Sequence, residues 1–169
     1  MKNSDLPKEF KQLKAILFEK LNLESSEIKL EKESQDYCAL NFKINSLDLK
    51  FRLAKITPTK IGQFVTLWQR NSRGIIEPFG SQDQIDFCII QCETESNFGV
   101  FIFSKEILIQ KGIFSSENQK GKLGFRAYPP WDLTSSKQAT KTQNWQKDFF
   151  VNLKEANFEK EKLQELLKI

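Results

Sequence analysis

The sequence predicts an α+β fold, with a mostly antiparallel or mixed β-sheet flanked by helices in one domain spanning residues 1–169. Residues 47–53 alternate between apolar and polar side chains, as a half-buried strand does. Residues 85–92 and 98–103 are almost wholly apolar, which is typical of strands covered on both faces. Near both ends of the chain, apolar side chains instead recur at helical spacing. Together these patterns favour one sheet with helices packed on it.

The first half of the chain is predicted to contain one helix and three strands. Proline in the first turn favours a helix over residues 6–22. Residues 24–36 have no clear period and are predicted to be a connector. Three strands are then expected at residues 37–44, 47–57 and 61–70.

The second half is predicted to contain strands at residues 85–92 and 98–103, followed by a short helix that Ser104 caps and Gly112 ends. The last strand is expected at residues 125–128, where Pro129 and Pro130 stop it. Two helices then complete the prediction, one from Ser135 or Ser136 to about residue 153 and one over residues 155–168.

Composition excludes several classes of active site. The 169-residue chain has no histidine, so it has neither a Ser-His-Asp triad nor a histidine zinc site. The odd set of Cys38, Cys88 and Cys92 indicates free thiols. We expect no metal and no cofactor. No apolar run is long enough to cross a membrane and the first residues contain no signal segment, so we expect a cytoplasmic protein with no membrane partner.

The net charge of +4 is unevenly distributed. Residues 51–75 contain five basic and no acidic residues, and residues 104–150 contain eight basic and four acidic residues. Between them, residues 76–103 contain five acidic and no basic residues. Because polyanions respond to local potential, two basic blocks favour nucleic-acid binding, although solvated strand and helix faces would give the same pattern.

Two motifs in these blocks combine cations with aromatic rings. In residues 54–70, AKITPTKIGQFVTLWQR, Trp68 and Arg70 share one strand face and could stack on a base and pair with a phosphate. A core tryptophan beside a solvated arginine explains the same residues. In residues 126–132, RAYPPWD, Arg126 and Tyr128 also share one face. The helix that follows contains Thr142, Gln143 and Gln146, which fit neither a core nor a solvent face and indicate a polar cluster bordering the sheet.

A nuclease is the second hypothesis. Restriction-type nucleases hold Mg²⁺ with an aspartate and an (Asp/Glu)-x-Lys triplet on neighbouring strands. Asp48-Leu49-Lys50 fits the triplet, Asp36 is a possible first acid, and Asp86 lies in the acidic block. The triplet is short, and two other triplets in this lysine-rich chain fit it equally well. The catalytic residues therefore stay unassigned, with Asp48, Lys50 and Asp86 as candidates.

Five segments between about residues 50 and 150 together resemble the MepB family of small bacterial proteins. They are AKITPTKIGQFVTLWQR, IEPFG, FGVFIFSKEILIQKGI, GKLGFRAYPPWD and KTQNWQKDFF. The resemblance implies a nucleic-acid-binding protein on a fold similar to restriction-endonuclease domains, without established cleavage activity. It implies a contact set that comprises Lys55, Lys60, Trp68, Arg70, Arg126, Tyr128, Trp131, Lys141, Gln143, Trp145 and Gln146.

The leading hypothesis is therefore a cytoplasmic DNA- or RNA-binding domain, and the alternatives are a Mg²⁺-dependent nuclease and a protein-interaction or small-ligand module. The binding hypothesis requires one exposed concave face on which five side chains meet, namely Trp68, Arg70, Arg126, Tyr128 and Trp145.

Overall fold

A six-stranded mixed sheet organises the protein, in a computed structural model that describes residues 5–154 and 157–169. The strand order is β1-β2-β3-β8-β9-β11, in which only β3 and β8 are parallel neighbours. A three-stranded sheet, β10-β5-β4, and a two-stranded sheet, β6-β7, complete the strands. Their bounds are β1 Ser25–Leu30, β2 Leu40–Ile44, β3 Leu47–Leu53, β4 Lys55–Thr57, β5 Lys60–Thr66, β6 Trp68–Arg70, β7 Ile76–Pro78, β8 Phe87–Glu93, β9 Phe98–Ser104, β10 Gly124–Ala127 and β11 Phe150–Asn152.

Four α-helices accompany the sheets in the described part of the chain. They are α1 Lys8–Leu21, α2 Lys105–Gln110, α3 Lys137–Gln146 and α4 Lys160–Leu167. One turn of 3₁₀ helix precedes β2 and another follows α3 directly, at Gln35–Tyr37 and Lys147–Phe149. The predicted α+β class with a mixed sheet is confirmed. None of the helices among the described residues is long and apolar enough to cross a membrane.

Two hydrophobic cores lie on opposite faces of the six-stranded sheet. On one face, α1 and α4 bury Phe10, Leu13 and Leu163 against the strands. On the other face, the three-stranded sheet buries Val65 and residues of β10 over the centre of the large sheet. Because strands β8 and β9 lie between both cores, they are apolar on both faces, as their sequences predict.

Several predicted boundaries are wrong, each for a local reason. The connector at residues 24–36 contains β1, whose mostly exposed residues and irregular register hide its alternation. The strand predicted at 37–44 is shorter, because a 3₁₀ turn and left-handed Cys38 precede β2. The strand predicted at 47–57 is two strands, because the chain leaves the large sheet at Ala54.

Similar breaks occur later in the chain. The strand predicted at 61–70 divides at Leu67 into β5 and β6, which belong to different sheets, and β7 was not predicted at all. The helix predicted to reach residue 153 ends at Gln146. Phe150 begins β11, a further strand after β10, and pairs with Phe101 of β9. The last helix begins at Lys160 rather than 155, and residues 155 and 156 lie outside the described residues.

Candidate functional site

A groove of about 470 Å³ runs between β10 and α3. Strand β10 is the edge strand of the three-stranded sheet, so its outer side has no neighbouring strand. Helix α3 lies beside that edge and begins where Ser136 Oγ accepts a hydrogen bond from Ala139 N. Pro129 and Pro130 separate the two elements, since proline cannot continue a paired strand.

Gln146 joins the two walls of the groove. Its side chain is fully buried, its Nε2 donates to Arg126 O at 2.9 Å, and its Oε1 accepts from Tyr128 N at 2.7 Å. The amide therefore takes the place of a neighbouring strand along β10. One turn earlier, Gln143 Nε2 donates to Pro129 O and Asp132 O, in the loop that joins β10 to α3.

Among the described residues, four cations and no carboxylate line the groove. Lys60, Lys111 and Lys122 come from three separate segments, and Arg126 comes from β10. None of the four belongs to an ion pair within residues 5–154 and 157–169. A polar concavity with uncompensated positive charge attracts anions.

Arg126 also supports the floor of the groove. Its guanidinium donates to Thr57 Oγ1 at 2.8 Å and to Gly62 O at 3.2 Å, and lies 5.8 Å from the Phe64 ring centre. These contacts tie the hairpin of β4 and β5 to β10. Because all these partners are neutral, the charge of Arg126 is held in place but not cancelled.

Two aromatic rings stand on opposite walls of the groove. The Tyr128 ring lies against Gly62, where an added Cβ would approach the ring within 2.7 Å and where φ is +83°. Glycine is required at this position for both reasons. On the α3 wall, the Trp145 ring packs against Phe103 at 5.4 Å between ring centres, and Lys111 Nζ lies 5.3 Å from the Trp145 ring centre.

Five of the eleven predicted contact residues line this groove: Lys60, Arg126, Tyr128, Trp145 and Gln146. Lys141 is an exposed residue of α3 outside the groove lining, and Gln143 is buried. Trp131 packs edge-on against Phe150, and its Nε1 is buried without a hydrogen-bond partner. Lys55 lies on the outer side of the three-stranded sheet, with its Nζ 5.1 Å from the ring centre of Tyr37.

Trp68 and Arg70 do not join the groove. They lie in the two-stranded sheet, where Arg70 Nε donates to Glu33 Oε1 at 2.6 Å and the guanidinium lies 5.6 Å from the Trp68 ring. Trp68 borders a separate shallow depression with Lys32, Tyr37 and Thr66. The break at Leu67 causes this separation, because it turns β6 away from β5. Two of the five residues that the binding hypothesis placed on one concave face therefore lie elsewhere.

Sequence reasoning missed two of the four groove cations, Lys111 and Lys122. Lys111 follows α2 at the point where Gly112 turns the chain with φ +64°. Lys122 lies in the loop before β10, where its N donates to Ile113 O. Neither lysine alternates with aromatic residues, and the positive charge of residues 104–150 was the only available signal.

The nuclease candidates are partly brought together. Asp48 and Asp86 lie next to each other, since Asp48 N donates to Asp86 Oδ2 and Asp86 N donates to Asp48 O, both at 2.8 Å. Lys50 Nζ, however, is bound to Glu31 Oε1 at 2.8 Å and to Asn41 Oδ1 at 2.7 Å. Asp36 does not join this pair, since it lines the separate depression that Trp68 borders.

The surroundings of Asp48 differ from those of a metal ligand. Asp48 Oδ1 lies 3.8 Å from Lys43 Nζ, in a small cavity that Lys29 and Lys50 also line. Within the described part of the chain, no group of three or more aspartate, glutamate or cysteine residues is arranged to hold a metal ion.

Lys50 and its neighbour Arg52 form a buried ionic cluster with Glu31. Arg52 is fully buried, and its Nη2 donates to Glu31 Oε2 at 2.6 Å. Burial disfavours the charged form of Glu31, but the charges and hydrogen bonds of Arg52 and Lys50 together outweigh burial and hold the pKa of this carboxyl below its ordinary value. Burial also raises the pKa of Cys88 to about 12, so this nearby thiol stays protonated.

Comparisons with known proteins identify the family. The family model described as MepB-like matches residues 31–152. A solved crystal structure of MepB superposes with a TM-score of 0.77 at 36% sequence identity, and the match covers 89% of this chain and 99% of that chain. Comparison with curated proteins finds no match. The matched region includes both walls of the groove, and on this evidence the chain belongs to the MepB-like family.

Proposed function

We propose that this protein binds nucleic acid in the groove between β10 and α3, in the cytoplasm of a bacterial cell. The observation that carries the proposal is a concave site lined by Lys60, Lys111, Lys122 and Arg126, with no carboxylate among the described residues that line it. Phosphates supply the negative charge that such a site attracts, and the release of their counterions drives binding.

The aromatic walls favour nucleic acid over a simple anion. Tyr128 and Trp145 offer ring surface beside the cations, and bases stack on aromatic side chains whatever their sequence. Contacts to phosphates and base faces supply affinity with little sequence choice. The proposed activity is therefore binding of nucleic acid with low sequence specificity.

Cleavage is not part of the proposal. A nuclease of the restriction type needs a lysine free to act beside metal-bound carboxylates. Lys50 instead uses its ammonium group to neutralise Glu31, and lies 4.3 Å from the Phe79 ring centre. A fold similar to restriction-endonuclease domains stays a prediction.

The test is fluorescence anisotropy of a labelled oligonucleotide over a range of salt concentrations. We expect the binding constant to fall steeply with salt, and the double variant Lys111→Ala/Lys122→Ala to reduce the slope of log K against log salt by about two, one per lost phosphate contact. The matched control is Lys43→Ala/Lys162→Ala, which removes the same charge from lysines that already pair with carboxylates.

The control variant should bind almost like the wild type. Affinity that does not change with salt would contradict the proposal, and so would equal losses in both double variants. Absence of any binding at physiological salt would favour a protein-interaction or small-ligand module instead.

A further inference from the structure

The geometry of the groove points to a more specific ligand, and we propose that it takes an unpaired strand of nucleic acid rather than a double helix. This inference rests on the proposed function. Three features carry it: the size of the groove, the fixed distance between its walls, and the position of its aromatic rings.

The groove has room for a segment of one strand. Its volume of about 470 Å³ falls in the range that pockets for drug-sized molecules occupy. A nucleotide or two fits such a volume, whereas a double helix could touch only the rim. A duplex would therefore use the exposed lysines but leave the interior of the groove empty.

The groove is not built to widen. Both hydrogen-bonding atoms of the Gln146 amide are used, one toward Arg126 O and the other toward Tyr128 N, so this side chain fastens β10 to α3. Gln143 adds a second fastening through Pro129 O and Asp132 O. Opening the walls would break these buried hydrogen bonds, and each buried group left unsatisfied costs about 1–3 kcal/mol.

The rings are placed where only an unpaired base can use them. Tyr128 and Trp145 line the groove, where the Tyr128 ring lies against Gly62. The Trp145 ring packs against Phe103 and Phe149 and has Lys111 Nζ over it, so a base that stacks on this ring takes the place of the ammonium group. Paired bases in a duplex cover their faces with neighbouring bases and present only their edges. Unpaired bases can present a whole face, and each such stack is worth about 1–3 kcal/mol.

The cations are distributed to follow one backbone. Lys60 begins β5, Lys111 follows α2 and Lys122 precedes β10, so three separate segments bring positive charge to the same groove. A positively charged groove that carries aromatic side chains is the usual arrangement for single strands bound without sequence preference.

The experiment compares a short labelled single strand with a duplex of the same sequence, in DNA and RNA forms, at moderate salt. We expect the wild type to bind the single strand at least about tenfold more tightly, which corresponds to about 1.4 kcal/mol, or one base stack. Trp145→Leu should remove most of this preference while leaving duplex affinity nearly unchanged. The control Trp68→Leu changes a tryptophan outside the groove and should keep the preference.

A second measurement does not depend on how well Trp145→Leu folds. In Trp68→Phe protein, the single strand should quench tryptophan fluorescence more than the duplex does, because Trp145 is the tryptophan in the groove. Equal or tighter binding of the duplex, or equal quenching by both ligands, would overturn the inference and leave the proposed function intact. Failure of both ligands to bind would overturn the proposed function as well.

Discussion

Basic residues occur in two contrasting environments in this protein. In the interior, Lys50 and Arg52 lie side by side on β3 and both contact Glu31. In the groove, Lys60, Lys111, Lys122 and Arg126 face a concavity that no carboxylate of the described part of the chain lines. The first set shares one carboxylate, which cancels one of its two positive charges, whereas no ion pair within the described residues involves the second set, so its charge is available to a ligand.

Basic residues that are close together in the sequence do not form one binding surface in this structure. The stretch 51–75 contains Arg52, Lys60 and Arg70, and the structure sends them to three different places. Arg52 is buried with Glu31, Arg70 pairs with Glu33, and Lys60 lines the groove. Which acids come near each cation therefore matters more than the number of cations in the stretch.

The largest effect is expected from removing the acid of the buried cluster. Glu31→Gln should lower the free energy of unfolding by about 3 kcal/mol, because it leaves two buried cations with no opposite charge. Urea denaturation measures this loss. Below the unfolding transition, the variant should bind nucleic acid like the wild type, since Glu31 does not line the groove.

A matched control comes from the exposed pair Arg70 and Glu33. The Arg70 side chain is 46% exposed, so Glu33→Gln should cost less than about 1 kcal/mol. Similar losses in the free energy of unfolding of the two variants would show that the buried cluster stabilises the fold no more than a surface ion pair does.

The next largest loss of stability is expected from changing Gln146, which joins the two walls of the groove. Gln146→Met keeps the shape of the side chain but leaves Arg126 O and Tyr128 N without their partner, so we expect a loss of about 2 kcal/mol in stability. Gln138→Met, at an exposed position of the same helix, should change stability by less than about 0.5 kcal/mol. Thermal and urea denaturation of both variants measure these losses. Equal losses of stability in the two variants would contradict the bridging role of Gln146.

Much of the fold could be predicted because its central elements follow simple patterns. Strands β8 and β9 are apolar on both faces, and α1 buries one regular stripe, so the sequence identifies them. Strand β1 could not be found, since most of its side chains are exposed and its register shifts between Ser26 and Lys29. The breaks at Ala54 and Leu67 were also hidden, because apolar residues continue through both points while the chain changes sheet.

The candidate site was predictable only in part. The sequence marked Gln143 and Gln146 as unusual in a helix, but it could not show that their amides bind the backbone of residues 126–132. A glutamine that bonds a strand edge and one that bonds a ligand look alike in sequence. Lys111 and Lys122 were missed for a related reason, since only tertiary packing brings their two loops beside Arg126.

The smallest effect is expected from two carboxylates whose pKa values shift in opposite directions. Glu31 is ionised beside cations and its pKa is lowered, so its stabilising contribution is present above its ordinary pKa of 4.5 and is lost as the pH falls through the lower folded value. Asp132 lies at the corner beside the groove, where burial raises its pKa and the hydrogen bond from Gly62 N opposes this shift. Its Oδ2 is buried without a hydrogen-bond partner.

Asp132 should therefore give a pH dependence of the opposite sign. Its contribution to stability is fully present below the ordinary pKa of 3.8 and is lost as the pH rises through the raised folded value, because the folded protein holds the proton more tightly than the unfolded chain. Asp132→Asn keeps an acceptor for Gly62 N but does not titrate. The stability of the wild type relative to this variant should fall by less than about 1 kcal/mol as the pH rises from 3 to 7, and Glu31→Gln should give the reverse trend. A difference that stays constant with pH would show that the Asp132 corner is as well solvated as an ordinary surface carboxyl.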